Sequence, residues 1–171
     1  MSAKLTALSA RARHAADGHL VLDDYLPYRL SVSSNAVSRL IARAYEDRFG
    51  LTIPQWRLIA VLAEDGPLTP GGAVNRTAMD KVTVSRAAQG LARRHLVARE
   101  AHEADGRSHH LTLTDEGARL HAEIAPLALA YEAALLSGMT PGEVAAIKLL
   151  LKRLEGAAIR LSGDSPATPQ A

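Results

Sequence analysis

Residues 79–94 read Met-Asp-Lys-Val-Thr-Val-Ser-Arg-Ala-Ala-Gln-Gly-Leu-Ala-Arg-Arg, and this stretch decides the fold. Asp80 is a good N-cap, because its carboxylate can accept hydrogen bonds from the free amides of a first helical turn. At about 100° per residue, a helix gathers apolar side chains on one side, namely Val84, Ala87, Ala88 and Leu91. The opposite side carries Val82, Arg86, Gln89 and Arg93. The stretch therefore predicts a helix with one apolar face and one polar face.

The polar face of this helix carries side chains that suit DNA bases. Arg86 can present its fork to O6 and N7 of guanine, and Gln89 can match N6 and N7 of adenine. Val82 can touch a thymine methyl group, while Thr83 and Ser85 can contact bases or phosphates. The same pattern also fits an ordinary surface helix with solvated arginines.

The chain after this helix predicts a β-hairpin. Residues 95–100 and 108–114 are short, carry Leu or Val at alternating places and flank the turn signal Asp105-Gly106. A helix with a polar face, followed by a hairpin with arginine near its tip, is the order of a winged helix. Arg107 would then enter the minor groove beside the helix, with Asp105 orienting it. Taken alone, Asp-Gly-Arg also fits a solvated turn.

Together, the helix and the hairpin resemble the MarR family of winged-helix transcriptional regulators. The resemblance is carried by Met79-Asp-Lys-Val-Thr-Val-Ser-Arg86, Leu91, Asp105-Gly-Arg-Ser108 and Leu111-Thr-Leu-Thr-Asp-Glu-Gly117, and in element order it spans residues 26–161. It implies a mainly α-helical chain with a small β-hairpin wing, a winged helix-turn-helix with added N- and C-terminal dimerisation helices. It also implies an obligate homodimer that binds a near-palindromic operator in double-stranded DNA. Such regulators often repress transcription and commonly release DNA when a small aromatic or phenolic effector binds.

The expected DNA contacts lie on the helix, on the wing and at the start of the preceding short helix. They are Thr69, Lys81, Val82, Thr83, Ser85, Arg86, Gln89, Arg93, Asp105, Arg107 and Ser108. A second interpretation stays open, because a winged helix can serve protein contacts alone and the fold does not dictate DNA binding.

Charge is concentrated in the same part of the chain. The net charge of the protein is only +2, but residues 69–109 carry +3, against +1 before and −2 after them. Residues 81–99 contain five basic residues and no acidic one, which suits a surface facing phosphates.

Composition excludes several other classes of protein. There is no cysteine, so disulfides, thiolate metal sites and thiol-based peroxide sensing are excluded. The sequence has no glycine-rich phosphate loop and no Gly-x-Ser-x-Gly elbow, and we expect no enzyme and no cofactor. No apolar run approaches the length of a membrane span, so we expect a cytoplasmic protein without a membrane partner.

The remaining sequence predicts the helices around the DNA-reading module. Expected caps are Asp23 or Asp24 for a helix over residues 26–48 that ends at Gly50, Thr52-Ile-Pro-Gln55, Thr69-Pro70, Thr114 and Thr140-Pro-Gly-Glu143. Pro126 should kink the helix that begins at Thr114. The predicted divisions are an arm or extra helix over 1–22, one domain over 23–161 and a flexible tail over 162–171. Within the domain, 51–113 form the winged-helix module, and 23–50 and 114–161 form the dimerisation helices.

Two positions depart from the family pattern. Gly71-Gly72 lie in the short helix before the DNA-reading helix, and each glycine costs about 1 kcal/mol of helix stability relative to alanine. We therefore expect a marginal helix that could loosen without DNA. His95 stands where relatives carry glycine and accepts a left-handed turn less readily, so the start of the first wing strand is less certain.

The effector pocket is expected where the dimer helices meet the winged-helix module. Candidate residues near the ends of the first two helices are Tyr28, Arg29, Ser33, Trp56 and Arg57. Trp56 also fits plain core packing, and Tyr28 also fits a dimer interface. A metal-responsive alternative would use His102, His109, His110 and His121, although their spacing matches no definite ligand motif.

Overall fold

A computed structural model of the chain describes residues 20–102 and 105–163; residues 101, 102 and 105–108 are described by their backbone alone. The elements in chain order are α1 (Leu26–Phe49), α2 (Ile53–Asp65), α3 (Pro70–Thr77), α4 (Lys81–Arg93), β1 (Val97–His102), β2 (Asp105–Leu113), α5 (Asp115–Leu136) and α6 (Pro141–Ser162). The prediction of a mainly α-helical chain with a small β-hairpin is confirmed. Residues 1–19 of the predicted arm and 164–171 of the predicted tail lie outside the described residues.

Local signals place most of the helix ends as predicted. Capping boxes begin α2 and α6, formed by Thr52 with Gln55 and by Thr140 with Glu143. α1 ends at Gly50, whose φ of 60° lies in the left-handed region that glycine adopts without strain.

The predicted cap of α1 is wrong. Asp23 and Asp24 lie in a 3₁₀ turn over Leu22–Asp24, two residues and one residue before the N-cap position of α1. Tyr25 occupies the N-cap position and makes no hydrogen bond there with its side chain. The predicted first-turn proline is present at Pro27.

The hairpin is confirmed, but the prediction that Asp105-Gly106 forms its turn is wrong. β1 and β2 pair antiparallel from Val97 opposite Leu113 to His102 opposite Asp105. Because β2 begins at Asp105, the Asp105-Gly106 pair lies in the strand. An Asp-Gly pair is only a local turn signal, and here cross-strand pairing extends as far as Asp105, with a register irregularity between Ala101 and His102.

A backbone bridge ties the hairpin to the helices. The amide of Leu68 donates to the carbonyl oxygen of Leu111 at 3.0 Å, and the amide of Leu111 donates back to Leu68 at 2.7 Å. This bridge joins the connection between α2 and α3 to β2, and it was not predicted.

The described residues divide into two compact units, with the boundary between Ile124 and Ala125 inside α5. The first unit holds the core, whose largest fully buried side chains are Tyr45, Leu51, Leu58, Ile59, Val84, Leu91 and Ile124. At its edge Gly117 lies directly against the carbonyl oxygen of Leu96, where a β-carbon would overlap the oxygen.

The second unit contains the end of α5 and the whole of α6. No residue of α6 is buried. Its exposed large apolar side chains include Leu129, Leu135, Ile147, Leu149, Leu150, Leu151 and Leu154. An ion pair of 3.2 Å joins Lys148 of α6 to Glu132 of α5. Such a broad apolar surface is more than a monomer usually exposes.

No single helix among the described residues is both long and apolar enough to cross a membrane, and α5 and α6 reach that length and composition only together, as a bent pair. Pro126 lies inside α5, which continues past it, and the kink stays a prediction.

The structure accommodates both departures from the family pattern. His95 adopts the left-handed conformation, with φ of 57°, and β1 begins at Val97. α3 forms despite Gly71 and Gly72. The strain of the turn is therefore carried by His95, and loosening of α3 without DNA stays a prediction.

Candidate nucleic-acid interface

The N-terminus of α4 is organised by its cap. Asp80 accepts hydrogen bonds from the amide of Thr83 at 2.8 Å and from its hydroxyl at 2.6 Å. The bonds from the hydroxyl and then from the amide hold the pKa of Asp80 below its ordinary value. The Thr83 hydroxyl, a predicted DNA contact, therefore donates to the cap in this structure.

The two faces of α4 differ as the sequence predicts. Val84, Ala87, Ala88 and Leu91 are buried. The opposite face is exposed, with Lys81, Val82, Arg86, Gln89 and Arg93. Val82 is 57% exposed, so an apolar side chain stands in the middle of a polar surface. Ser85 is half-buried, and its hydroxyl oxygen accepts a 3.3 Å hydrogen bond from the side-chain amide nitrogen Nε2 of Gln89.

α3 begins at its own cap and is tied to α2 by an ion-pair cluster. Thr69 accepts from the amide of Gly72 at 3.0 Å and is exposed at the start of α3. Arg76 of α3 reaches α2, with a 2.6 Å bond to Asp65 and a 3.1 Å contact to Glu64. The hydrogen bond and the charge of Asp65 raise the pKa of Arg76. The two helices that precede α4, α2 and α3, are therefore tied to each other.

The C-terminal end of α4 contacts α1. Arg94 directly follows α4, and its guanidinium donates to the carbonyl oxygens of Phe49 and Gly50, both at 2.9 Å. Arg94 is one of the five basic residues that were expected on a surface facing phosphates. Its actual partners lie 44 and 45 residues away, and no local signal could have identified them.

On the wing, the structure describes one cationic side chain of β1. It does not describe the side chains of β2 that were predicted to contact DNA. Arg99 is exposed. The side chains of Asp105, Arg107 and Ser108 lie outside the described residues, although their backbone belongs to β2. Their DNA contacts stay predictions.

A small cavity of about 120 Å³ lies where α3, α4 and the hairpin meet. Its lining combines apolar side chains such as Pro70, Val84 and Leu111 with two cations, Lys81 and Arg99. This combination suits a small ring with an anionic group.

The residues predicted for the effector pocket are not gathered within one chain. Trp56 is half-buried, with its ring 5.1 Å from that of Tyr45 and stacked on that of His121 at 5.6 Å. Tyr28 lies seventeen residues before Tyr45 on α1, or about 25 Å at helical rise. Trp56 and Tyr28 thus lie in different regions of one protomer.

The other predicted effector residues have local partners. Arg29 contacts Asp23 at 3.4 Å, and Ser33 is exposed on α1. Arg57 donates to the carbonyl oxygen of Thr77 at 3.4 Å, which ties α2 to the end of α3. For the metal alternative, no group of three or more His, Asp or Glu side chains within the described part of the chain is placed to hold an ion.

Comparison with known proteins agrees with this geometry. A family model described as MarR family matches residues 49–108, from the end of α1 into β2. The transcriptional regulator MgrA of Staphylococcus aureus is 25% identical over 133 residues, which cover 78% of this chain and 89% of MgrA.

Solved structures extend the match over most of the chain. BpsR of Bordetella bronchiseptica, whose DNA binding is regulated by 6-hydroxynicotinic acid, is 26% identical, with a TM-score of 0.74 over 80% of this chain and 96% of BpsR. A MarR family transcriptional regulator from Silicibacter pomeroyi is 31% identical, with a TM-score of 0.69 over 80% of this chain and 91% of that protein. MgrA and the Silicibacter protein are regulators of transcription, the class of protein expected from the sequence in place of an enzyme. With its winged helix-turn-helix and this similarity along most of its length, the chain belongs to the MarR family of transcriptional regulators.

Proposed function

We propose that this protein is a homodimeric repressor that binds a near-palindromic operator and releases it when a small aromatic or phenolic effector binds. The observation that carries the proposal is the exposed face of α4, where Lys81, Val82, Arg86, Gln89 and Arg93 face away from a buried apolar side. This activity implies a cytoplasmic location, where a regulator meets DNA.

In this proposal the exposed face of α4 lies in the major groove. Arg86 reads guanine, Gln89 reads adenine and Val82 packs on a thymine methyl group. Gln89 would exchange its bond to Ser85 for base contacts, which leaves Ser85 free to meet the backbone. Thr83 contributes through the Asp80 cap.

The remaining predicted contacts position the protein on the DNA backbone and in the minor groove. Lys81, Arg93 and Thr69 would meet phosphates, which fix register without reading sequence. On the wing, Arg107 would occupy the minor groove, oriented by Asp105, with Ser108 beside it.

The proposed dimer is supported by the apolar surface that the chain leaves exposed. The first helix contributes Leu26, Tyr28, Val32 and Leu40, and α6 contributes Ile147, Leu150, Leu151 and Leu154. Residues 23–50 and 114–161 would form the dimerisation helices and residues 51–113 the module that binds DNA. Two-fold symmetry would place the two α4 helices about one DNA turn apart, ~34 Å.

The effector proposal has two candidate locations. One is the predicted set Tyr28, Arg29, Ser33, Trp56 and Arg57, which would need the partner protomer to bring its members together. The other is the cavity lined by Lys81 and Arg99, whose 120 Å³ is close to the ~150 Å³ of an engineered cavity that binds benzene. BpsR supports an aromatic acid as the chemical class, since 6-hydroxynicotinic acid regulates it.

Fluorescence anisotropy tests the proposal. Labelled duplex from upstream of the protein's own gene is titrated at several salt concentrations, with scrambled duplex as competitor. We expect tight, salt-sensitive binding that scrambled DNA does not displace, and release on addition of 6-hydroxynicotinic acid or a related phenolic acid. Binding that is absent or indifferent to sequence would instead favour a winged helix used for protein contacts.

A further inference from the structure

The C-terminal end of α4 rests on the corner between α1 and α2. This corner, residues 49–55, contains the last carbonyl groups of α1, which have no partner within their own helix. Arg94 supplies partners, since Nη1 donates to Gly50 and Nη2 to Phe49, each at 2.9 Å. The positive guanidinium also complements the negative end of the α1 dipole. A single side chain at the end of α4 therefore supplies hydrogen-bond donors to the carbonyl groups at the end of α1.

A second contact brings α4 to the same corner. Gly90, one turn before Arg94, lies so close to α2 that a β-carbon would sit 2.5 Å from Nε2 of Gln55. Gln55 is itself held at the corner, because its side-chain oxygen accepts from the amide of Thr52 at 2.9 Å. The close approach at Gly90 and the two hydrogen bonds of Arg94 therefore hold the end of α4 against this corner.

The neighbouring arginine has a different environment. Arg93 lies on the exposed face of α4 with Arg86 and Gln89, whereas Arg94 reaches back across the chain to α1. Both are cations at the end of the same helix, so composition alone does not separate their roles. A guanidinium that bridges two carbonyl oxygens uses its planar geometry, which a flexible ammonium does not reproduce.

We infer that Arg94 is a positioning residue, which ties the end of α4 to α1 and meets no phosphate. Because α1 belongs to the proposed dimer helices, the tie makes the orientation of the DNA-reading face follow the position of α1. This inference rests on the proposed function and adds a route by which dimer geometry reaches DNA binding.

Salt dependence separates this role from a phosphate contact. Anisotropy titrations at four or more salt concentrations compare wild type, Arg94→Ala and the matched control Arg93→Ala, below the unfolding transition of each. We expect Arg94→Ala to lower operator affinity by about 2- to 30-fold, the range in which single substitutions alter coupling, with an unchanged slope of log K against log salt. Arg93→Ala should reduce that slope by about 0.9 for each phosphate contact removed, or about 1.8 in a symmetric dimer.

A charge-conserving variant keeps the test decisive if the alanine variant folds poorly. Arg94→Lys should lose affinity as well, because lysine lacks the planar fork, whereas a phosphate contact would survive this change nearly intact. Hydrogen exchange should also be faster at the amides of Gly50 and Leu51 in both Arg94 variants, since the end of α1 loses its cap.

The outcomes distinguish failure of the positioning role of Arg94 from failure of the proposed function. A reduced salt slope for Arg94→Ala, or wild-type affinity in both Arg94 variants, would overturn the positioning role and leave the proposed function standing. Absence of specific DNA binding by the wild-type protein would overturn the proposed function itself.

Discussion

The hydroxyl of Thr114 donates a 2.6 Å hydrogen bond to the carbonyl oxygen of His95. The same hydroxyl oxygen accepts from the amide of Gly117 at 3.0 Å, and so it also caps α5. One threonine therefore closes the turn after α4 and begins the helix that leaves the wing. The carbonyl group of the strained His95 is therefore held by a neighbouring side chain.

His95→Gly should stabilise the protein. His95 has φ of 57°, a conformation that costs a residue with a β-carbon about 1 kcal/mol and costs glycine little. For a chain of this size, that corresponds to a rise of about 2–4 °C in the melting temperature, measured by calorimetry. The matched control is Ala63→Gly at an exposed position of α2, which should lower the melting temperature. A fall in both variants would contradict the assignment of strain to His95.

Gly117→Ala should destabilise the first unit strongly. The new β-carbon would overlap the backbone carbonyl oxygen of Leu96, which cannot move without displacing the turn before β1. We expect a loss of roughly 3 kcal/mol or more in the free energy of unfolding, measured by urea denaturation. Gly142→Ala is the control, because nothing lies within 4 Å of the added carbon. Equal, small effects of both substitutions would show that Gly117 does not require the close approach.

The cap of α4 should make stability depend on pH. The pKa of Asp80 is lowered in the folded state by its bonds from Thr83, so the ionised form stabilises the fold. That contribution is fully present above the ordinary pKa of aspartate, about 4, and is lost as pH falls through the lowered value.

The corresponding measurement compares wild type with Asp80→Asn by urea denaturation from pH 6 down to pH 3. The stability advantage of wild type should be constant at the upper end and shrink toward pH 3, because asparagine caps without titrating. A difference that stays constant down to pH 3 would argue against the ionised cap.

Val82 should read a thymine methyl group. Val82→Ala removes apolar surface from the exposed face of α4, and replacing the contacted thymine by uracil removes only the methyl group from the DNA. At about 0.8 kcal/mol per buried methylene-sized group, loss of the one thymine methyl group should weaken binding about fourfold per half-site, and Val82→Ala, which removes two such groups, by up to about 15-fold.

The two changes together should cost less than the sum of the separate costs, because they remove the same contact. Fluorescence anisotropy of wild type and Val82→Ala, each with the thymine and the uracil duplex, measures this double-mutant cycle. Purely additive losses at every thymine of the operator would place Val82 away from the methyl groups.

Leu150→Glu should dissociate the dimer. Leu150 is 59% exposed in the single chain and lies on the apolar side of α6. Burying a carboxylate in an apolar interface without a partner is strongly unfavourable. Light scattering should give twice the chain mass of 18.2 kDa for wild type and for the control Lys152→Glu, but the chain mass for Leu150→Glu. A wild-type protein that is monomeric at micromolar concentration would contradict the proposed dimer.

Local signals in the sequence determined much of the fold. The caps at Thr52, Asp80 and Thr140 and the end of α1 at Gly50 depend on residues within one turn of each other, and all four lie where they were expected. The two faces of α4 also follow from sequence, because helical periodicity decides which side chains share a side. For the same reason the set of exposed residues on α4 was predictable.

Only the tertiary structure decided which elements meet, because those contacts join residues far apart in the chain. The partners of Arg94 at Phe49 and Gly50 come from a helix more than forty residues earlier, and the bridge between Leu68 and Leu111 spans a similar distance. The turn of the wing was misplaced because strand pairing overrode the local preference of Asp105-Gly106. Periodicity and capping are properties of neighbouring residues. The contact between the end of α4 and the corner of residues 49–55 forms only once the chain has folded back on itself.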